Sequence, residues 1–255
     1  MVVSGRALAD VPWPAVAGSC ARTILAVPLG STEQHGHHLP NGTDTVVADA
    51  LAAGLARRRP DVAVAPPLPY GASGEHAGFP GTLSVGTAAT AAVLVELVRS
   101  ADAFRGVVLV NGHGGNADAV AAACERCRAE GRQVLAWSPA AAVTAAAAGA
   151  GRQPDAHAGW VETSMMLAIA PSLVRTADAV AGATAPLRDL LPELRSRGVS
   201  GVSASGVLGD PAGATADAGR ALVDACVDDL AAAVRARFGT PDAVRATWER
   251  GATRG

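Results

Sequence analysis

The hydrophobic positions of this chain fall into two alternating patterns. Thr23-Ile-Leu-Ala-Val-Pro-Leu29 and Val107-Val-Leu-Val110 are short apolar runs with no polar alternation, and each ends at a polar, glycine-bearing loop. Such runs predict strands covered on both faces. Val62–Ala65 and Gln133–Trp137 are weaker strands of the same kind. Between them lie segments with apolar residues at helical spacing: Thr45 to Arg59, Thr87 to Ser100, Ala117 to Glu130 before Gly131, Val161 to Ile169 before Pro171, and Ala214 to Phe238. Glycine after the last periodic residue is a common helix stop. Strand-loop-helix alternation predicts an α/β fold, a three-layer α/β/α sandwich with a mostly parallel central sheet.

The 255 residues and 49% apolar content suit one large domain. We divide the chain into an N-terminal segment at 1–22, a catalytic domain at 23–238 and a C-terminal tail at 239–255, with poor order expected from Pro241 onward. A net charge of −2 provides no electrostatic footprint for nucleic acid or an anionic membrane. All 21 basic residues are arginine, which reads as coding bias. No apolar leader or membrane-length run stands out, so the expected location is the cytoplasm. Cys124 and Cys127 form a lone CxxC on one face of an expected helix, where a structural role is expected over redox or zinc chemistry.

The histidines change the picture most. There are six, His35, His37, His38, His76, His113 and His157, and each lies in a glycine-bearing loop segment. In open α/β sheets ligands collect beyond the carboxyl ends of the strands, and both strong strands lead to a histidine there. Glu33-x-His35 puts a carboxylate and an imidazole on one side of an extended segment. Asp44 follows just before a helix, as an N-cap or as a carboxylate shared by two ions. His113 sits at the centre of Asn111-Gly-His-Gly-Gly-Asn116, a turn that has no need of histidine, and the two asparagines are placed to orient it. His157 lies in a loop and Glu162 opens a helix, either as a first-turn carboxylate or as a metal ligand. Glu75 and His76 line a pocket, support the site from behind, or belong to a plain surface loop. Nitrogen and carboxylate donors without thiolate suit zinc, manganese or ferrous iron.

These motifs together resemble the creatininase family. The resemblance rests on Pro28-Leu-Gly-Ser-Thr-Glu33-Gln-His35-Gly36 with His38-Leu-Pro40, on Phe79-Pro-Gly-Thr82, on Asn111–Asn116, and on His157-Ala-Gly159 with Glu162-Thr-Ser164. It covers roughly residues 23–238 in order. It implies a divalent metal centre of one or two ions, Zn2+ or Fe2+ or else Mn2+, held by Glu33, His35, Asp44 and His113, with His157 transferring a proton. It also implies a homo-oligomer, such as a hexamer.

Two departures qualify the resemblance. Creatinine-hydrolysing members carry a metal-binding glutamate two residues after the loop histidine, where this chain has Gly115. Glu162 is the candidate to supply the missing carboxylate. His37 stands where many members have proline. Gly71-Ala-Ser-Gly-Glu75-His76, Asp155-Ala-His157-Ala-Gly159 and Gly206-Val-Leu-Gly-Asp210-Pro211 are closer to the mycofactocin-system branch. That branch implies a peptidase that releases a C-terminal Val-Tyr-derived core from a modified precursor peptide. The alternatives are a creatininase or formamide deformylase acting on a small amide, and a metal-dependent scaffold that binds peptide without cutting it.

Overall fold

The computed structural model describes residues 7–241. Its centre is a four-stranded sheet of β1 (Ile24–Leu29), β2 (Val62–Val64), β3 (Gly106–Asn111) and β4 (Val134–Trp137), in the order β2-β1-β3-β4. All three pairings are parallel. The helices are α1 (Trp13–Ala17), α2 (Thr43–Arg58), α3 (Thr87–Ser100), α4 (Ala117–Ala129), α5 (Ala140–Gly149), α6 (Trp160–Ile169), α7 (Leu187–Val202) and α8 (Ala216–Phe238).

The strands separate two cores, because successive side chains point to opposite faces. On one face Ile24 and Ala26 of β1 and Val108 and Val110 of β3 meet Leu51 and Leu55 of α2, Met165 and Met166 of α6, and Leu222 and Leu230 of α8. On the other, Leu25, Val27, Leu29, Val107 and Leu109 meet Leu94 and Val98 of α3 and Val120, Cys124 and Cys127 of α4. This is the expected α/β/α sandwich. Both cysteines of the CxxC are buried and unpaired in the second core. Leu51 is fully buried, so Leu51→Ala should cost about 2–5 kcal/mol by urea unfolding. A loss below about 1 kcal/mol would contradict this packing.

Besides the five-residue α1, two helices escaped the sequence reading. α5 is almost all alanine and has no polar face to show a period. α7 contains Pro192 and a kink at Gly198, signals that usually end helices. Within the expected N-terminal segment, Ala7 bridges Val64 at the sheet edge and Leu8 packs against the second core. The tail beyond residue 241 lies outside the described residues.

The strand order creates one special place. The chain leaves β1 through α2 to reach β2 on one side, then crosses through α3 to β3 on the other side of β1. The loops after β1 and β3 therefore part company between neighbouring strands, and the crevice they leave is the usual ligand position of such sheets. Leu29 is in register with Asn111, so the two loops start side by side.

Candidate metal centre

The loop after β1 carries Glu33 and His35, both fully buried. Asp44 is the second residue of α2 rather than the residue before it. The cap is Gly42, and no side chain caps that end. The Asp44 carboxylate turns inward instead. Oδ2 accepts a hydrogen bond from Ser31 Oγ at 2.6 Å and lies 3.1 Å from His113 Nδ1, while Oδ1 lies 3.0 Å from His35 Nε2. A carboxylate with an imidazole at each oxygen is placed to be shared between two positions. His35 Nδ1 is 3.0 Å from the carbonyl of Glu33, so Nδ1 carries hydrogen and Nε2 faces the centre.

The loop after β3 delivers His113. Its Nε2 is 3.2 Å from Glu33 Oε2 and 3.6 Å from Glu75 Oε1. The neighbouring asparagines do not orient this ring as expected. They tie backbones together. Asn111 Nδ2 donates to the His113 carbonyl at 2.8 Å, and Asn116 Nδ2 donates to the Gly30 carbonyl at 3.0 Å. Asn116 Oδ1 accepts from the Ala72 amide at 2.9 Å. One side chain thus fastens three loops.

Gly115 has no room for a side chain. A Cβ there would lie 2.4 Å from both His113 Nε2 and Glu75 Oε1 and 2.3 Å from the Ala72 carbonyl. A carboxylate beyond Glu33 and Asp44 must therefore come from elsewhere. Glu162, in the first turn of α6, brings Oε2 to 3.8 Å from His35 Nε2 while accepting from the Ala158 amide at 2.6 Å. Glu75 approaches from the opposite loop.

The structure brings together Glu33, His35, Asp44, His113, His157 and Glu162, and with them His76, which the sequence left between a pocket lining, a supporting role and a surface loop. The His157 ring lies tilted against its neighbours, its centroid 4.3 Å from that of His35 and 4.5 Å from that of His76. His76 is buried on the single turn Gly74–His76, with Nε2 3.3 Å from Glu33 Oε1. This burial removes the surface-loop alternative for His76; the covering turn packs against the remote α7. His38 is buried with Nε2 2.8 Å from Thr163 Oγ1, and His37 is exposed.

The charges are strongly coupled. Burial lowers the His35 imidazole, but Asp44, then Glu162 and Glu33, raise its pKa to about 10. Burial also opposes His113, whose bond to Asp44 and neighbours Glu33 and Glu75 raise it to about 9. Burial, aided by the charge of Asp44, raises Glu33 to about 7 against the pull of His113 and His35. Burial likewise raises Glu162 to about 7. Asp44 ends well below the usual range, because His35 and His113 overcome its burial. Burial and the neighbouring His35 keep His157 neutral, and His76 falls to about 3 for the same reasons with His113 added.

A buried carboxylate without a partner is costly. Among the described residues, the buried side-chain nitrogen and oxygen atoms that make no hydrogen bond are both oxygens of Glu33 and Nδ1 of His38. Glu33, His35 and Asp44 each place a donor atom within 4.8 Å of one another, as do His35, His157 and Glu162. Anionic oxygens and imidazole nitrogens facing one small space fit a divalent cation.

Known proteins resemble this chain in sequence and in fold. Residues 9–234 match the family model for creatininase, described as creatinine amidohydrolase. The chain is 48% identical over 217 residues to the mycofactocin precursor peptide peptidase of Mycolicibacterium smegmatis, covering 81% of this chain and 84% of that one. The protein of the same name from Mycobacterium ulcerans is 46% identical, over 86% of this chain and 87% of its own. The creatinine amidohydrolase of Pseudomonas putida is 31% identical, over 87% and 91%. Among solved structures, a manganese form of creatininase superposes with a TM-score of 0.77 at 28% identity, over 91% of this chain and 98% of that one. A Zn-Zn form of a creatininase mutant gives 0.76 at 26%, over 91% and 97%. Sequence match and superposition both run through nearly all the described residues, and on that ground the chain belongs to the creatininase family.

Proposed function

We propose that this chain is a metal-dependent peptidase that cuts one amide bond of a modified precursor peptide and frees its C-terminal Val-Tyr-derived core. The observation that carries the hydrolase reading is the buried, unpartnered Glu33 carboxylate facing His113 and His76. The peptide substrate is supported by the names of the relatives at 46–48% identity. Gly115 supports it further, since the crowding at that position denies the chain the carboxylate that creatinine-hydrolysing members carry.

Glu33, His35, Asp44 and His113 would hold one or two divalent ions, zinc, iron or manganese, with Glu162 as a further ligand. An ion held there supplies Lewis-acid polarisation of the scissile carbonyl and a more acidic water. The chain's own residues do the rest. Without an ion, Asp44 holds His35 and His113 in place through its two oxygens. His157 is neutral, so it starts as a proton acceptor at Nδ1. It takes a proton from the attacking water and passes it to the departing amine nitrogen, a relay that suits an imidazole. Glu162, with its pKa near neutrality, is the second group able to hold that proton.

Two outcomes test the ligand set. Glu162→Gln should lower metal content measured on the purified protein. An unchanged metal-to-protein ratio would leave Glu162 with the proton-holding role alone. Metal binding must also displace protons. The raised pKa values of His35 and His113 stabilise the metal-free chain below the ordinary imidazole value, and that contribution fades as pH rises through about 9 to 10. Metal affinity should therefore increase with pH across the neutral range, with proton release. Calorimetry in two buffers of different ionisation enthalpy reads this directly, and identical heats would contradict it.

The proposal includes a homo-oligomer. Leu83 and Val85, which lead into α3, and Val93 and Leu97 on its outer side are exposed apolar side chains available to a second copy. Light scattering decides it, and a monomer at all concentrations would remove this part. It also includes a cytoplasmic location, in keeping with four cysteines that form no disulfide. No helix among the described residues is long and apolar enough to cross a membrane.

A further inference from the structure

Gln34 stands between Glu33 and His35, and its buried amide touches two imidazoles outside the ligand set, His76 and His157. The Gly36 amide donates to Gln34 Oε1 at 2.9 Å, which fixes the end of the side chain that is oxygen. The other end, Nε2, has two hydrogens and three neighbours: His76 Nδ1 at 2.9 Å, the Gly206 carbonyl at 3.1 Å and His157 Nε2 at 3.2 Å. The backbone carbonyl of Gln34 lies 2.7 Å from His157 Nε2. A carbonyl only accepts, so His157 Nε2 carries a hydrogen and cannot also receive one from the amide. The two amide hydrogens then go to His76 Nδ1 and to Gly206.

The tautomers follow. His76 accepts at Nδ1, so its own hydrogen sits on Nε2, 3.3 Å from Glu33 Oε1. His157 has its hydrogen on Nε2 and a bare Nδ1, 3.8 Å from the same oxygen. His76 therefore has no lone pair to offer an ion, even though its ring lies within 4.8 Å of donor atoms of Glu33 and His157. The loop around Gly206 is built for this contact. A Cβ at Gly206 would strike the Gln34 amide oxygen at 2.0 Å.

We propose that Gln34 is a positioning residue that sets both imidazoles with hydrogen on Nε2, so that His76 turns an N–H, not a lone pair, toward Glu33 and His157 presents Nδ1 to the substrate. The last part rests on the hydrolase reading; the tautomers do not. Partners that orient metal-bound imidazoles are worth about 10- to 100-fold in activity, and a partner that orients a proton-transferring imidazole should be worth a similar factor.

The test is long-range proton-nitrogen NMR of the zinc-loaded full chain with labelled histidine, the His76 and His157 signals assigned by Gln replacement. Both rings are expected with hydrogen on Nε2. In Gln34→Glu a carboxylate faces His76 Nδ1, so the His76 hydrogen should appear on Nδ1 while His157 stays unchanged. Gln34→Met, which adds no charge, should leave His76 averaging between both forms. Zinc content should hold in either variant, and kcat on the peptide should fall about 10- to 100-fold with KM retained. A wild-type His76 with hydrogen on Nδ1 overturns the proposal, as does a His76 signal indifferent to both substitutions. If neither variant folds, the wild-type spectrum alone decides the tautomers. The expected spectra with no cleavage by the wild-type chain would sink the peptidase reading and leave the tautomers standing.

Discussion

Replacing His113 with alanine should abolish metal binding and turnover together. The ring joins the two carboxylates of the centre, with Nδ1 at 3.1 Å from Asp44 Oδ2 and Nε2 at 3.2 Å from Glu33 Oε2. Without it, two buried carboxylates face each other with one cationic neighbour fewer, and Glu33, already raised to about 7, is pushed further toward its neutral form. A protonated Glu33 is a poor ligand. An outer-shell partner alone is worth about 10- to 100-fold, so loss of a direct ligand should leave less than about 1% of the parent rate. Metal analysis and peptide cleavage are measured on the same sample, with circular dichroism to confirm the fold. Full activity with metal retained would remove His113 from the ligand set.

His157→Ala should separate what His113→Ala keeps together. His157 contacts the centre through a bare Nδ1 and is held from behind by the Gln34 carbonyl at 2.7 Å. Its loss should leave metal content near the parent value and KM little changed, while kcat falls about 10²- to 10⁴-fold, the usual worth of a positioned proton-transfer group. Small amines with a low leaving-group pKa should be released with a smaller penalty, since they need less help to depart. A matched loss of metal would make His157 a ligand beside His35 and Glu162, with which it also converges.

The two strands that position the site were legible because a buried parallel strand writes itself as an unbroken apolar run. The ends of α3 follow the sequence reading, and one end each of α4 and α6 shifts by one residue. Glu33, His35 and His113 were legible for a different reason: each follows a strand directly, so their meeting needs only that β1 and β3 be neighbours. Asp44 was placed one turn boundary away from its true position, because a glycine cap leaves no side-chain signal. His76, with Glu75 and His37, was left open. Its burial depends on the turn Gly74–His76 being pressed from outside by α7, and at Gly198 a Cβ would meet the Glu75 carbonyl at 2.8 Å. That contact joins residues far apart in the chain, and no local pattern announces it. α5 and α7 were hidden by composition, the first lacking a polar face and the second interrupted by Pro192 and Gly198.

The central claim is that a metal held by Glu33, His35, Asp44 and His113 drives cleavage of a peptide amide. The measurement that tests it most directly is metal analysis of the purified chain, paired with mass spectrometry of the modified precursor peptide with and without chelator. The account predicts bound divalent metal, release of the C-terminal core, and loss of that release when the metal is stripped. A chain that binds no metal under any loading, or cuts the peptide equally well without it, would contradict the account.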